Sequence, residues 1–214
     1  MVKAEFDLYA KTYNDWSDVQ KLTGLHLTQK LVDMIGEKSI SSILDLGCGD
    51  GSGTNCLHKT LNSLSTLGID NSKNMVDRAT HTYSTGHNKT TKPEKNGGHQ
   101  LNFQVQTIQD LDASYLSQFN LIYSNASLQW VADLQGLFQK IKQSRSINPD
   151  QMVSFSLFSS KTLTELSQGL QAIGRTESLP TARFLEKELI GEMLKTTFGD
   201  IHIWQETVIK SFTN

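Results

Sequence analysis

The segment Ile43-Leu44-Asp45-Leu46-Gly47-Cys48-Gly49-Asp50-Gly51 is an apolar strand that runs straight into glycines at alternate positions, which excludes most fold classes at once. Strand, glycine turn and helix in that order open an α/β unit, where parallel strands are joined by helices. Without Cβ atoms at Gly47, Gly49 and Gly51 a ligand can lie directly on the main chain. The amide N–H groups of the following helix N-terminus then hold an anion. A second apolar strand closes on Asp70, nineteen residues after Gly51.

Asp70 is placed to accept both hydroxyls of a ribose, and Asp45 to meet an ammonium group directly or through a water. A ribose, an ammonium and a carboxylate on one ligand describe S-adenosylmethionine, which is the expected cofactor. Nicotinamide and flavin sites also use a strand, a glycine turn and an acid about 20 residues on. Their Gly-x-Gly-x-x-Gly cannot be read here in any register, because Ser52, Thr54 and Cys56 stand where the third glycine would fall. An acid inside the strand would also sit poorly beside a pyrophosphate.

Strand and helix signals alternate along the chain, which predicts a doubly covered, mostly parallel sheet. Strands are expected at Ser42 to Leu46, Ser65 to Ile69, Leu101 to Val105, Phe119 to Tyr123, Met152 to Phe158 and near Ile201 to Ile209. After Asp133, Leu134, Leu137, Phe138 and Ile141 repeat at helical spacing. Thr162 and Glu165 form a candidate capping box ahead of Leu163, Leu166, Leu170 and Ile173. Leu185, Leu189, Ile190, Met193 and Leu194 mark another helix. These two helices make a long excursion between the fifth and sixth strands, the usual form of a lid. One domain over 1–214 is expected, with a helical cap at 1–35, a substrate-covering insert at 159–198 and a polar surface loop from Ser84 to His99.

The balance of 20 basic and 22 acidic residues gives a net charge of −2, so no global field recruits nucleic acid or an anionic membrane. The amino terminus has no apolar signal core and no run approaches a membrane span, which leads to a cytoplasmic expectation. Cys48 and Cys56 have no metal-site spacing and read as packing thiols, so no metal is expected.

Gly68-Ile69-Asp70-Asn71-Ser72-Lys73-Asn74-Met75 resembles the segment after the second strand of class I S-adenosylmethionine-dependent methyltransferases. The resemblance implies that Asp70 and Asn71 take the ribose and that Met75 packs by the adenine. Four further segments narrow it. Phe6, Ala10, Tyr13 and Gln20 match an N-terminal helical segment, and Phe119 to Trp130 matches the fourth strand and active-site loop. Arg145-Ser146-Ile147-Asn148-Pro149 matches the segment before the fifth strand. Phe155-Ser156-Leu157-Phe158, Thr162 to Leu166 and Arg183-Phe184-Leu185 match a substrate-covering insert. This combination resembles the malonyl-[acyl-carrier protein] O-methyltransferases of early biotin synthesis. It implies malonyl-acyl carrier protein, or malonyl-CoA, as the methyl acceptor.

By the same resemblance Asn125, Thr107 and Ile108 fall at cofactor positions, although Thr107 replaces the acid that normally contacts the adenine amino group. Family members also continue past the equivalent of Asn214 with a helix and a seventh, antiparallel strand. A malonyl carboxylate is ionised at neutral pH, so methylation needs positioning rather than a base, and an arginine fork is the natural clamp. Arg183 is the first choice, with Arg145 and Arg175 as alternatives. Arg78 reads as a solvated helix residue. Tyr13 can orient the substrate, with Tyr9, Asn125, Gln129 and Trp130 around the pocket. Two alternatives stay open: a small-molecule carboxyl methyltransferase of trans-aconitate type, and a non-catalytic S-adenosylmethionine-binding protein.

Overall fold

The computed structural model describes residues 17–85, 98–175, 179–199 and 201–209. Phe6, Tyr9, Ala10, Tyr13 and most of the expected loop lie outside these residues. Five strands, β1 (Ser42–Leu46), β2 (Ser65–Asp70), β3 (Gln100–Val105), β4 (Leu121–Asn125) and β5 (Met152–Ser156), form one sheet. Their order is β3-β2-β1-β4-β5, and every pairing is parallel. All five therefore end on the same edge. The chain leaves β1 for β2 on one side and later enters β4 on the other, so loops diverge from β1 and open a crevice there.

Helices cover both faces. On one side α1 (Asp18–Ile35) packs Leu27, Leu31 and Ile35 against Ile43, Leu57, Leu121 and Tyr123. α2 (Ser52–Thr60) supplies Leu57 to that layer. α3 (Lys73–Tyr83) begins at Ser72, whose Oγ accepts the Met75 N–H at 3.3 Å, and buries Met75, Val76 and Ala79. The other face holds the larger cluster, where Leu44, Leu46 and Ile122 meet Phe138 and Ile141 of α5 (Leu134–Ile147). Each such side chain contributes about 1.5–3 kcal/mol by leaving water. Asp133 caps α5 by accepting the Gly136 N–H at 2.8 Å, and the expected Leu134, Leu137, Phe138, Ile141 stripe is buried. A short α4 (Ala113–Leu116) precedes β4.

β4 starts two residues later than expected. Asn120, just before it, already bonds to both neighbours, its N–H donating to Ser42 O at 3.0 Å and its O accepting from Met152 N–H at 2.7 Å, while its Oδ1 accepts from Ser42 N–H at 3.1 Å and Ser42 Oγ at 3.0 Å and brackets the start of β1. α6 (Thr164–Ala172) does not form the expected capping box. Leu163, in the left-handed region at φ 63°, stands at its N-cap, and Thr164 Oγ1 donates to Lys161 O at 2.7 Å. The expected apolar face is also unburied: Leu163, Leu166 and Ile173 are exposed. α7 (Lys187–Phe198) does pack, burying Ile190 and Leu194 beside α5.

No sixth strand forms in 201–209, which are irregular and mostly exposed. Alternating apolar residues read as a strand, but extended conformation persists only where a neighbour satisfies the ladder. Cys48 is buried as expected, whereas Cys56 is exposed. Arg78 is not a solvated helix residue either; it is half-buried, with Nε 4.0 Å from Oδ2 of the buried Asp50. Among the described residues no helix is long and apolar enough to cross a membrane, and no cluster of side chains could hold a metal ion.

Candidate cofactor cleft

A cleft opens at the carboxyl ends of the strands, lined from β1 by Gly47 and Gly49 and from β2 by Asp70, Asn71 and Met75. Gln106, Ile108 and Gln109 after β3, and Asn125, Ala126, Ser127, Trp130 and Val131 after β4, complete the wall. Gly47, Gly49 and Gly51 all have positive φ, at 80°, 54° and 80°. Their missing Cβ atoms serve different ends. Among the described residues a Cβ on Gly49 would meet nothing within 4 Å, so this glycine leaves open main chain in the cleft. At Gly47 the Ser127 side chain occupies that space, and at Gly51 Ala79 Cβ (2.7 Å) and Phe103 Cζ (2.8 Å) do. Gly51 therefore allows helix-to-strand packing behind the turn and does not line the cleft.

Asp70 fastens the turn. Its Oδ2 accepts the Gly49 N–H at 3.0 Å and its Oδ1 the Ser72 N–H at 2.9 Å, so the carboxylate is fixed at the mouth between β1 and β2. Asp45 lies deeper, 4% exposed, and accepts from Thr54 Oγ1 at 2.6 Å. Its side chain is not part of the cleft wall. Burial pushes its carboxyl up to about 7, against the Thr54 hydrogen bond, with the nearby Asp70 charge adding to the rise. The Cys48 thiol, also buried, is raised by the same loss of water and by Asp45 and Asp70, which keeps it protonated and unreactive.

Asn125 ends β4 at the centre of a polar knot. Its Nδ2 donates to Gln20 O at 2.8 Å, and its Oδ1 accepts from Ser156 Oγ at 2.6 Å and Thr23 Oγ1 at 3.2 Å. These bonds tie α1 to the tips of β4 and β5. Gln129 Nε2 donates to Ala126 O at 2.8 Å, holding Ala126 at φ 51°. Gln129 itself is not part of the wall. Trp130 is, and its ring meets Phe184 edge to face at 4.9 Å. That contact brings the insert to the rim.

Arg183, the neighbour of Phe184, is exposed at the end of a 3₁₀ turn (Pro180–Arg183). Arg175 is exposed after α6. Arg145 stands elsewhere: it lies in the last turn of α5, which runs from the cleft loop about 20 Å back to the opposite edge of the sheet. Its side chain is half-buried, and its Nε has no partner among the described residues. The described wall thus brings together Gly47, Gly49, Asp70, Asn71, Met75, Ile108, Asn125 and Trp130, while Asp45, Gly51, Thr107, Gln129 and Arg145 stand outside it. Gln106, Gln109 and Val131 also line the wall, and the sequence does not single them out. The signal for Gln106 is its place on the same side as Ile108 across an extended residue.

Open main chain at Gly49, a fixed carboxylate at Asp70 and apolar Met75 and Ile108 beside polar amides suit a nucleoside with a charged tail. Comparison with known proteins agrees with this chemistry. Residues 37–195 match the family model described as a methyltransferase domain. Over 218 aligned residues the chain is 27% identical to the malonyl-[acyl-carrier protein] O-methyltransferase of Bacillus cereus, covering 100% of this chain and 75% of that protein. An enzyme of the same name from Ilyobacter polytropus is 26% identical, covering 100% and 72%. Among solved structures, the plantazolicin methyltransferase BpumL in complex with SAH is similar in fold, at a TM-score of 0.60 and 15% identity, over 92% of this chain and 75% of that one. With the model spanning most of the sheet and the cleft, the chain belongs to the methyltransferase domain family.

Proposed function

We propose that this protein transfers the methyl group of S-adenosylmethionine to the free carboxylate of a malonyl thioester, with malonyl-acyl carrier protein as the acceptor. The observation that carries the reading is similarity along the whole chain to enzymes of that name. It is supported by the insert that places Arg183 next to the Phe184–Trp130 contact at the cleft rim. When bound, the cofactor supplies a methyl carbon on a positively charged sulfur. Asp70 takes the ribose, Asn71 adjoins it, and the Gly47–Gly49 main chain receives the amino-acid tail. Asp45, behind the turn, meets the ammonium group through a water.

A malonyl carboxylate needs no base, because it is ionised well below neutral pH. The residues have to hold its oxygen in line with the methyl carbon and exclude water. Orientation of this kind is worth roughly 7–11 kcal/mol in favourable cases. Arg183 grips the carboxylate through its planar fork, with Arg175 on the carrier side, and Trp130 and Phe184 wall off solvent. The deciding experiment incubates the protein with methyl-labelled S-adenosylmethionine and, in parallel, malonyl-acyl carrier protein, malonyl-CoA and trans-aconitate. Label on the malonyl carrier in preference to the other two is the expected result. Label on trans-aconitate alone, or cofactor binding without transfer to any of the three, overturns the reading.

A further inference from the structure

The last turns of α2 and α3 and the start of β3 enclose a second cavity of about 450 Å³, within the size range of small-molecule sites. α2 leaves the glycine turn and runs back for 9 residues, about 13 Å, so this cavity lies toward the opposite edge of the sheet from the cofactor cleft. His58 and Lys59 come from α2, Tyr83 from α3, and His99 from just ahead of β3, with the buried Leu101 in the wall. The two imidazole rings meet edge to face, 6.1 Å between centroids. Among the described residues no carboxylate lines the cavity. The carbonyls of Leu57, His58 and Lys59 that end α2 already accept from the N–H groups of Leu61, Ser63 and Asn62. Their partial negative charge is answered there, which leaves the side chains to set the sign of the site.

A chain of hydroxyls fixes the proton on His58. Ser63 Oγ donates to a carbonyl, Ser65 O at 2.9 Å or Ser41 O at 3.1 Å, so in its 3.3 Å contact with Thr66 Oγ1 it accepts. With its one proton so placed, Thr66 Oγ1 accepts from His58 Nδ1–H at 2.9 Å. Neutral His58 therefore presents Nε2 as an acceptor, and a second proton enters there. Burial first, then the charges of His99 and Lys59, hold this imidazole below its ordinary value. Tyr83 is the remaining titratable group of the lining, with Asp50 and Arg78 acting on it. A bound anion offsets the repulsion among His58, His99 and Lys59 and draws a proton onto Nε2.

We propose that this cavity binds a small phosphomonoester, its phosphate between His58, His99 and Lys59 and its organic body along Tyr83 and Leu101. Three nitrogen donors from different elements suit a tetrahedral group with three terminal oxygens. A phosphomonoester gives up its second proton near pH 6, close to imidazole, so the ligand itself can supply the proton that Nε2 takes up. A carboxylate or a sulfate ester, already fully ionised, cannot. The cavity is also larger than a phosphate, which leaves room for the body.

The test follows the histidine ring signals of the whole protein by NMR during titration with phenyl phosphate, phenyl sulfate and inorganic phosphate, in wild type, Lys59→Met, His99→Gln and His58→Asn. Phenyl phosphate should saturate the site and raise the titration midpoint of His58, with phenyl sulfate and inorganic phosphate each about tenfold weaker or more. Lys59→Met and His99→Gln, both at the surface, should each weaken phenyl phosphate about tenfold, as loss of a charge-assisted hydrogen bond does. His58→Asn keeps a donor for Thr66 but lacks Nε2, and should erase the preference for phosphate over sulfate. Thermal unfolding reports whether that variant folds; if it does not, the two surface variants decide. Affinity unchanged in both surface variants, or either control anion bound as tightly as phenyl phosphate, overturns the proposal. Release of bound phenyl phosphate by S-adenosylhomocysteine also overturns it, since the ester would then occupy the cofactor cleft.

Discussion

Asp45 sits beside the turn as a buried acid that accepts a hydrogen bond from Thr54, and its charge state couples the site to pH. An unfolded aspartate titrates near 3.9, whereas here burial pushes the carboxyl up to about 7. Between roughly pH 4 and 7 the folded protein therefore holds a proton that the unfolded chain has lost, and stability falls as pH rises through that window. Asp45→Asn mimics the protonated form. It should gain on wild type by up to about 4 kcal/mol between pH 4 and 8 in urea melts; a gap that does not change with pH contradicts the assignment. The glycines separate in the same way. Gly49→Ala meets only the left-handed backbone cost of about 1–2 kcal/mol yet should weaken S-adenosylhomocysteine binding tenfold or more, because its Cβ enters open cleft. Gly47→Ala also strikes Ser127, and Ser127→Gly should restore the part of its stability lost to that clash. Equal loss of binding and stability in both glycine variants would mean the turn is merely structural. At the rim, Arg183→Ala should lower kcat/KM for the malonyl acceptor about 10–100-fold and Arg183→Lys should not restore it, since a point charge lacks the bidentate fork. Unchanged kinetics would move the clamp to Arg175.

Among the elements, the insert is the part whose position decides access. Phe184 is 6% exposed and meets Trp130 edge to face, so an aromatic pair joins the excursion between β5 and α7 to the cleft wall. Phe184→Ala should raise KM for the acceptor about tenfold while leaving the affinity for S-adenosylhomocysteine within about threefold, a split that marks loss of substrate positioning rather than of the cofactor cradle. A comparable fall in cofactor affinity would place Phe184 in the fold of the cleft itself. The elements also differ in how plainly they could be read. β1 and β2 were legible as short apolar runs bounded by turn residues, with β1 buried on both faces, and α5 was legible because its apolar residues share one side to bury and Asp133 marks its start. α6 was misread at its cap because Thr162 and Glu165 fit the pattern, yet the turn closed by Thr162 N–H to Ser159 O at 3.0 Å delays the helix and puts Leu163 at its start. The strand expected at 201–209 failed for a different reason: its pattern needs a partner, and a partner is not encoded locally. Gly51 was assigned to the ligand although the residues it accommodates, Ala79 and Phe103, are far away in sequence.

For the molecule as a whole, the order of strands does what no single residue can. Placing β1 centrally, with β2 and β3 on one side and β4 and β5 on the other, brings a glycine turn, the Asp70 carboxylate, an amide pair and an asparagine knot from four loops to one edge. α1 braces that edge from behind through Thr28 Oγ1, 3.2 Å from Tyr123 Oη, and through the Gln20–Asn125 bond. Past α7 the chain crosses from the α5 side to α1, where Glu206 meets His26 at 2.5 Å and Lys30 lies over Trp204 at 6.0 Å. In the proposed function the sheet edge holds the cofactor and the helices around it hold the acceptor. A crystal structure with S-adenosylhomocysteine tests this division most directly. Density for the ribose on Asp70, the amino-acid tail along Gly47 to Gly49 and the base between Met75 and Ile108 is the expected outcome. A ligand seated elsewhere, or a cleft closed by its own side chains, contradicts it.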